Sequence, residues 1–227
     1  MAVAVIITAA GVGKRFGTRH RKPFVRLGRQ PILAWSLTAC ERTAGVAEVV
    51  LVVHPDDLAR SRRLVARARC RKVRAIVPGG ATRADSVYAG LQAVSPDVTV
   101  VAVHDAARPL VTPDLIGRVV ATAARHGAAL AATPMVPTTK LVDARGRVIR
   151  TLDRRRLWGA QTPQAFRRKL LEAAYRAIRG RARQRATDEA MLVELYGVKS
   201  RIVEDTPRNL KITTQDDLAI AQALVGR

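Results

Sequence analysis

Short apolar runs rich in β-branched residues alternate along the chain with segments whose apolar positions recur at helical spacing. The runs are almost continuously apolar, as in strands that are covered by helices on both faces of a parallel sheet. We predict strands at residues 3–8, 48–54, 73–78, 98–104 and 128–135, and helices at 31–42, 56–70, 82–94 and 113–126. This alternation predicts an α/β fold with a doubly wound, mostly parallel sheet.

The alternation stops at about residue 134. Residues 134–160 contain several prolines, an ARGR turn and short strand-like fragments, which predict a β-arm or hairpin that leaves the sheet. Further on, we predict helices at 167–179 and 187–196, a loop at 180–186, a late strand in SRIVED and KITT, and a last helix with Thr214 as its N-cap. Because no linker or repeat interrupts the chain, we predict one domain over residues 1–227.

The charge of the chain is strongly positive. Forty Lys and Arg against 18 Asp and Glu leave a net charge of +22, while 48% apolar residues exclude a disordered tail. The arginines are spread through most of the predicted helices, as on a solvated surface. A non-catalytic nucleic-acid-binding module is the alternative from another class, but it would need basic residues clustered with exposed aromatics. Aromatic residues are only 4% of the chain and scattered, so we expect no specific nucleic-acid partner.

The two cysteines and the N-terminal segment indicate in which cellular compartment the protein is found. Cys40 and Cys70 have no spacing suited to zinc, which favours ordinary buried thiols in a reducing compartment. The N-terminal MAVAVIITAAG has the pattern of a first strand rather than a signal peptide. No apolar run approaches the roughly 20 residues of a membrane span. We therefore expect a cytoplasmic protein without a membrane partner.

A glycine-rich turn with cations follows the first strand, in the stretch TAAGVGKRFGTRHRK (8–22). Gly11 and Gly13 would let backbone N–H groups approach phosphate oxygens, and Arg15 and Lys22 would bring positive charge to the same phosphates. The stretch lacks the Walker pattern. It also lacks the third glycine of a dinucleotide fingerprint, and the second strand ends in His54 rather than in an acid. The turn predicts a phosphate site of another kind.

Further motifs sharpen this prediction. GGATRADSV (79–87), VHDAARPLV (103–111), T-P-x-x-x-T-x-K (133–140), LWGAQTPQAF (157–166), TDEA (187–190) and NLKITT (209–214) follow in order. Together with the glycine turn, they resemble the 2-C-methyl-D-erythritol 4-phosphate cytidylyltransferases of isoprenoid biosynthesis, over residues 3 to about 224. The resemblance implies a Rossmann-like nucleotidyltransferase fold, magnesium, a homodimer, and a reaction that joins CTP to methylerythritol phosphate and releases pyrophosphate.

The resemblance also implies site residues. The catalytic cations would be Arg15, Lys22 and Lys211. CTP would be bound by Ala9, Ala10, Gly11, Gly13, Gly80, Ala81, Arg83 and Ser86. Methylerythritol phosphate would be bound by Asp105, Arg108, Thr138, Arg154, Thr162 and Thr187. Asp105 would also hold magnesium, and it follows a predicted strand at the end where open α/β sheets bind ligands.

Two matters stay open at this point. A pentitol-phosphate cytidylyltransferase, acting on ribitol 5-phosphate, would use the same chemistry with another alcohol. In addition, the family's common Pro-Lys-Gln around the catalytic lysine is Arg21-Lys22-Pro23 here. Because the residue before proline favours an extended backbone, Pro23 bears on how Lys22 is placed.

Overall fold

The computed structural model describes residues 1–11, 16 and 21–226. The strands are β1 (Ala2–Ala9), β2 (Arg26–Leu27), β3 (Gln30–Pro31), β4 (Val46–Val53), β5 (Val73–Pro78), β6 (Val98–Asp105), β7 (Ala128–Pro134), β8 (Lys140–Val142), β9 (Val148–Thr151), β10 (Trp158–Arg167) and β11 (Arg201–Glu204). The α-helices are α1 (Ile32–Arg42), α2 (Leu58–Arg67), α3 (Arg83–Gln92), α4 (Pro113–His126), α5 (Arg168–Ala177), α6 (Gly180–Arg185), α7 (Glu189–Leu195) and α8 (Gln215–Val225). Short 3₁₀ turns cover Lys22–Phe24, Pro55–Asp57 and Arg154–Arg156.

Seven strands form the central sheet, in the order β11-β7-β10-β6-β1-β4-β5. Strand β1 pairs in parallel with β4 and β6, β4 pairs in parallel with β5, and β11 pairs in parallel with β7. Strand β10 runs antiparallel to its neighbours β6 and β7. The predicted α/β fold with a mostly parallel sheet is confirmed.

Side chains of β1 point alternately to two hydrophobic cores, one on each face of the sheet. Val5 and Ile7 join a core with Leu37 of α1 and the buried face of α4. Ile6 joins the other core, with Leu91 of α3 and the buried faces of α5 and α7. Each such side chain contributes about 1.5–3 kcal/mol when it leaves water. Burial on both faces explains why these strands are apolar throughout.

Strand β10 corrects the prediction for the segment after residue 134. The predicted arm is present as the hairpin β8–β9, but residues 158–167 return to the middle of the sheet. The polar Gln161, Thr162 and Gln164 are nevertheless buried there, and the β10–β7 register shifts between Ala160 and Gln164. Polar residues and a proline are unusual in a central strand, so the apolar pattern does not reveal β10.

Other local predictions have mixed outcomes. Thr82 and Thr214 both cap helices: each hydroxyl accepts the backbone N–H three residues on, and a reciprocal aspartate completes a capping box. The late strand is correct for residues 201–204 but wrong for KITT, which is irregular. The predicted loop at 180–186 contains the short helix α6.

The hairpin β8–β9 carries an apolar surface. Its exposed side chains include Leu141, Val142, Val148 and Ile149. Elsewhere, Cys40 and Cys70 are free thiols and both are buried, as predicted. No helix in the described part of the chain is long and apolar enough to cross a bilayer.

Candidate active site

A cavity of about 580 Å³ opens at the carboxyl ends of β1, β4 and β6. Open α/β sheets bind their ligands at this edge. Among the predicted site residues, the cavity is lined by Ala9, Ala10, Gly11, Lys22, Gly80, Ala81, Arg83, Ser86, Asp105 and Lys211. Residues from the beginning, the middle and the end of the sequence therefore meet at one place.

Asp105 is held by three donors at the end of β6. Its Oδ1 accepts hydrogen bonds from Thr8 Oγ1 at 3.1 Å and from Arg83 Nη2 at 3.2 Å. Its Oδ2 accepts one from Lys211 Nζ at 2.5 Å. Thr8 is the register partner of Asp105 in the parallel β1–β6 pair, so the sheet itself places the first donor. The other two donors are cations from distant segments.

These cations fix the ionisation state of Asp105. Burial alone would raise the pKa of this carboxyl, but the charges of Arg83 and Lys211 outweigh it and hold the pKa well below its usual value. Asp105 is therefore a carboxylate at neutral pH. It keeps both cations at the cavity wall.

Glu189, at the start of α7, completes this charge network. Its two carboxylate oxygens both lie 2.9 Å from Arg83 Nη1, and its Oε1 also accepts a hydrogen bond from Tyr175 Oη at 3.3 Å. Glu189 is only 1% exposed. Burial raises the pKa of Glu189 more than the neighbouring Arg83 lowers it. Arg83 thus bridges two acids, and its orientation in the cavity is fixed from behind.

A second network fixes the backbone of Asp105. The Thr162 hydroxyl accepts the backbone N–H of Asp105 at 3.1 Å and lies 3.1 Å from His104 Nδ1. The Arg108 carbonyl, 3.1 Å from His104 Nε2, can only accept a hydrogen bond, so Nε2 carries the ring hydrogen. Nδ1 therefore accepts the hydroxyl proton of Thr162. Burial lowers the pKa of His104 to about 4, so the ring is neutral at pH 7. Thr162 and His104 support the site from inside the sheet.

Lys22 binds the segment that carries Lys211, although 189 residues separate the two lysines in sequence. Lys22 Nζ donates to the Ile212 carbonyl at 2.9 Å, directly beside Lys211. The Lys211 segment is anchored on both sides: Ile212 is fully buried and donates its N–H to the Ala107 carbonyl, while the buried Asn209 amide donates to the Thr162 carbonyl at 3.0 Å. This anchoring explains why KITT is irregular, since it crosses the end of the sheet.

The loop before α3 approaches the end of β1 closely. A Cβ on Gly79 would lie 2.4 Å from Ala10 Cβ, and one on Gly80 would lie 2.5 Å from Asp85 Cβ. Ser86 Oγ accepts the Gly80 N–H at 3.1 Å and donates to the Thr82 carbonyl at 2.9 Å. Only glycine fits this turn, so the Gly-Gly pair has a clear steric cause.

Comparison with known proteins identifies the family of the chain. A family model, described as "IspD: 2-C-methyl-D-erythritol 4-phosphate cytidylyltransferase", matches residues 3–227. The chain belongs to this family. It is therefore a nucleotidyltransferase enzyme.

Individual members of the 2-C-methyl-D-erythritol 4-phosphate cytidylyltransferase family are similar to the chain over its whole length. A protein of that name from Pelotomaculum thermopropionicum is 46% identical over 98% of this chain and 94% of its own. The crystal structure of the 4-diphosphocytidyl-2C-methyl-D-erythritol synthase from Anaerococcus prevotii has a TM-score of 0.86 at 30% identity, covering 99% of this chain and 96% of that one. The cytidylyltransferase from Thermus thermophilus has a TM-score of 0.79 at 32% identity, and each chain is covered completely.

The other predicted site residues that the structure describes do not line this cavity. Arg108 donates to the carbonyls of Asn209 and Ala160, next to Thr162. Arg154 donates to the Val136 carbonyl and, like Thr138, is exposed on the arm. Thr187 is exposed before α7. Gly13 and Arg15 lie outside the described residues.

Sequence reasoning did not single out Glu189, Thr8 or Tyr175. Glu189 stands inside the TDEA motif, but no local signal distinguishes a buried acid that pairs with an arginine 106 residues away. A threonine at the end of a strand is likewise ordinary. Only the folded arrangement identifies them.

Proposed function

We propose that the protein transfers the cytidylyl group of CTP to 2-C-methyl-D-erythritol 4-phosphate, with release of pyrophosphate. The observation that carries this proposal is that Lys22, Lys211 and Asp105 line one cavity, with Lys211 paired to Asp105 and Lys22 bound to the neighbouring Ile212 carbonyl. Membership of the cytidylyltransferase family supports both substrates.

The proposed reaction is an in-line displacement at phosphorus. A phosphate oxygen of methylerythritol phosphate attacks the α-phosphorus of CTP, and the bond from that phosphorus to the pyrophosphate oxygen breaks. A phosphate monoester is largely ionised at neutral pH, so the attack requires no general base. Catalysis then depends on positioning and on neutralising the charge that builds on the phosphates. Lys22 and Lys211 supply fixed positive charge at the cavity, and we propose the same role for Arg15.

CTP would lie between the end of β1 and the loop before α3. Ala9, Ala10 and Gly11 line the side of the cavity that we assign to the triphosphate. Gly80, Ala81, Arg83 and Ser86 line the side that we assign to cytosine and ribose. Glu189 accepts hydrogen bonds from Arg83 Nη1, and Asp105 accepts them from Nε and Nη2 of the same side chain.

Methylerythritol phosphate would bind against Asp105 and Arg108 at the carboxyl end of β6, and the predicted Thr162 would act from inside the sheet by holding the Asp105 backbone. For Thr138, Arg154 and Thr187 we propose a role in a site that includes a second copy of the chain. The arm carries Thr138 and Arg154, and the exposed Val148 and Ile149 on the same arm provide an apolar surface suited to burial between two subunits. We therefore propose a homodimer of single-domain subunits of residues 1–227.

The site could hold magnesium only with the help of the substrate phosphates. No group of three or more His, Cys, Asp and Glu that could hold a metal occurs among residues 1–11, 16 and 21–226. Asp105 is an ionised oxygen ligand at the cavity, and magnesium is commonly held by one or two carboxylates with substrate phosphates. We propose that Asp105 and the CTP phosphates would hold the ion. Bound there, it would neutralise phosphate charge.

We also propose a cytoplasmic location, because two unpaired buried cysteines suit a reducing compartment.

Pyrophosphate release tests the proposed function. Purified protein would be assayed with CTP and magnesium, with either methylerythritol phosphate or ribitol 5-phosphate, as wild type and as Lys22→Ala. Lys199→Ala, which removes an exposed lysine far along the chain, is the matched control. We expect release with methylerythritol phosphate only, lost in Lys22→Ala and kept in the control. Preference for ribitol 5-phosphate would show that the acceptor substrate is a pentitol phosphate and leave the proposed reaction type unchanged. No release with either, together with DNA binding that survives 0.5 M salt, would favour the nucleic-acid-binding alternative.

A further inference from the structure

Lys22 lies in a 3₁₀ turn whose preceding residue is bound to the beginning of α2. Arg21 Nη2 lies 2.7 Å from Asp56 Oδ2, and Arg21 Nε lies 3.2 Å from Asp57 Oδ2. The two aspartates belong to the turn that joins β4 to α2. The residue just before the predicted catalytic lysine is therefore tied to the sheet's carboxyl edge.

The turn is also held on the other side of Lys22. The guanidinium carbon of Arg60, in the first turn of α2, lies 4.1 Å from the centre of the Phe24 ring. Phe24 is 8% exposed, and its N–H donates to the Arg21 carbonyl at 3.0 Å. Lys22 is thus flanked by two residues that the same helix start contacts. We call Arg21, Asp57, Phe24 and Arg60 the α2 clamp.

Arg21 of the clamp is hydrogen-bonded to Asp56, whereas its contact with Asp57 is an ion pair in a less exposed place. The side chain of Asp56 is 71% exposed, and a pair at such a site is weakened by water and salt. The side chain of Asp57 is 9% exposed and lies at the N-terminus of α2, where the helix dipole stabilises a negative charge. An ion pair on this side of Arg21 is screened less.

We propose that Arg21 is a positioning residue, which acts through Asp57 to hold Lys22 in the orientation that the reaction needs. The inference rests on the proposed function, because Lys22 has its catalytic role only there. A lysine is a compact charge on a flexible four-carbon stem, so its backbone must be fixed if its charge is to lie at one point. Misplacement by about 1 Å can reduce turnover about 100-fold. Pro23 restricts Lys22 from one side, and the Arg21–Asp57 pair restricts it from the other.

The test compares kcat and KM for CTP in a set of variants. Arg21→Ala and Asp57→Asn should each lower kcat about 10- to 100-fold while KM for CTP changes about threefold or less. The double variant should be no slower than the slower single variant, since both single variants remove the Arg21–Asp57 ion pair. Arg29→Ala, an exposed arginine on the same segment, is the control and should stay within about twofold of wild type. Arg21→Lys should recover part of the lost kcat.

A second measurement does not depend on turnover. The rate at which acetic anhydride labels the Lys22 amine, relative to Lys199, should rise in Arg21→Ala and stay constant in Arg29→Ala. If kcat of Arg21→Ala stays within about twofold of wild type, or the labelling rate is unchanged, Arg21 has no positioning role. If the wild type does not release pyrophosphate but Lys22 is labelled faster in Arg21→Ala, the proposed function is wrong and the positioning role of Arg21 is supported. The thermal unfolding temperature of each variant shows whether a change in kcat or in labelling rate arises from a loss of folding.

Discussion

Lys211 Nζ lies 2.5 Å from Asp105 Oδ2, although 106 residues separate the two in sequence. The contact joins the segment before the last helix to the end of the central strand β6. It also places a cation beside the cavity without leaving the carboxylate unpaired. The site is therefore a balance of charges as well as a collection of ligand contacts.

Removal of the Lys211 charge should abolish most turnover. We expect Lys211→Ala to lower kcat/KM about 100- to 1,000-fold, the loss found when one fixed donor to a transition state is removed. Lys199→Ala, outside the cavity, is the matched control and should behave as wild type. Steady-state pyrophosphate release measures both. A loss of less than about threefold in Lys211→Ala would contradict the proposed role.

Glu189 should matter for both stability and nucleotide binding. Glu189→Gln leaves Arg83 without one of its two acidic partners, so we expect a loss of about 2–3 kcal/mol in the free energy of unfolding, below that of a fully broken buried pair. We also expect a higher KM for CTP, since Arg83 is no longer held from behind. Urea unfolding and initial rates measure these. Glu172→Gln, in a helical i,i+4 pair with Arg168, should cost about 0.5 kcal/mol or less.

His104 should make the protein less stable in mild acid. Its folded-state pKa is about 4 and its unfolded value about 6.5, so the unfolded chain binds a proton that the folded chain does not. Stability therefore falls as pH decreases from about 6.5 to 4, by about 3 kcal/mol in all. Asp105 contributes only below that window, because its pKa is lowered from a value near 4.

Urea unfolding at about pH 7, 5.5 and 4.5 checks this prediction. His104→Gln should lose most of the slope, while His126→Gln, at the exposed end of α4, should keep it. A wild-type slope that persists in His104→Gln would assign the proton uptake to another group.

Alanine substitutions at two glycines should change the stability of the protein in opposite directions. Gly80→Ala places a Cβ 2.5 Å from Asp85 Cβ, so it should destabilise the loop and raise KM for CTP. Gly117→Ala, inside α4, meets no atom within 4 Å and should stabilise the protein by about 0.5–1 kcal/mol. Thermal unfolding and initial rates distinguish them. Equal effects of the two substitutions would show that the close approach at Gly80 is not a constraint.

The apolar arm should control assembly. Val148→Lys with Ile149→Glu should convert the proposed homodimer to a monomer, as measured by sedimentation velocity, with little change in the unfolding temperature because both side chains are exposed at 60%. Ile220→Glu, an exposed apolar position on α8, is the control and should leave assembly unchanged. A wild type that sediments as a monomer would overturn the dimer.

The sequence predicts most of the sheet because buried parallel strands are apolar on both faces. It also predicts the cap at Thr214, since a hydroxyl three residues before an acid is a local signal. Strand β10 escapes prediction for a physical reason. Its Thr162 and Gln164 are buried because they hydrogen-bond to His104 and to Asp188, and a strand that carries such partners loses its apolar pattern.

Some residues of the candidate site could likewise be predicted from the sequence, and others could not. Asp105 could be placed from its position after a strand, because the carboxyl edge of a sheet is defined by the order of elements. The partners of Asp105 could not, since Arg83 and Lys211 come from loops whose paths depend on tertiary packing. Arg21 and Glu189 are charged residues among many in this chain, and only their neighbours reveal what they hold.

The anchoring of the Lys211 segment has a consequence for synthesis. All seven sheet strands are complete at residue 204, yet Lys211 comes later, and its neighbour Thr213 is held by Asp217 of α8. A nascent chain that has emerged only to β11 therefore contains every strand of the central sheet but still lacks Lys211, the lysine for which we propose a catalytic role. Turnover would begin only when the last helix has left the ribosome and docked.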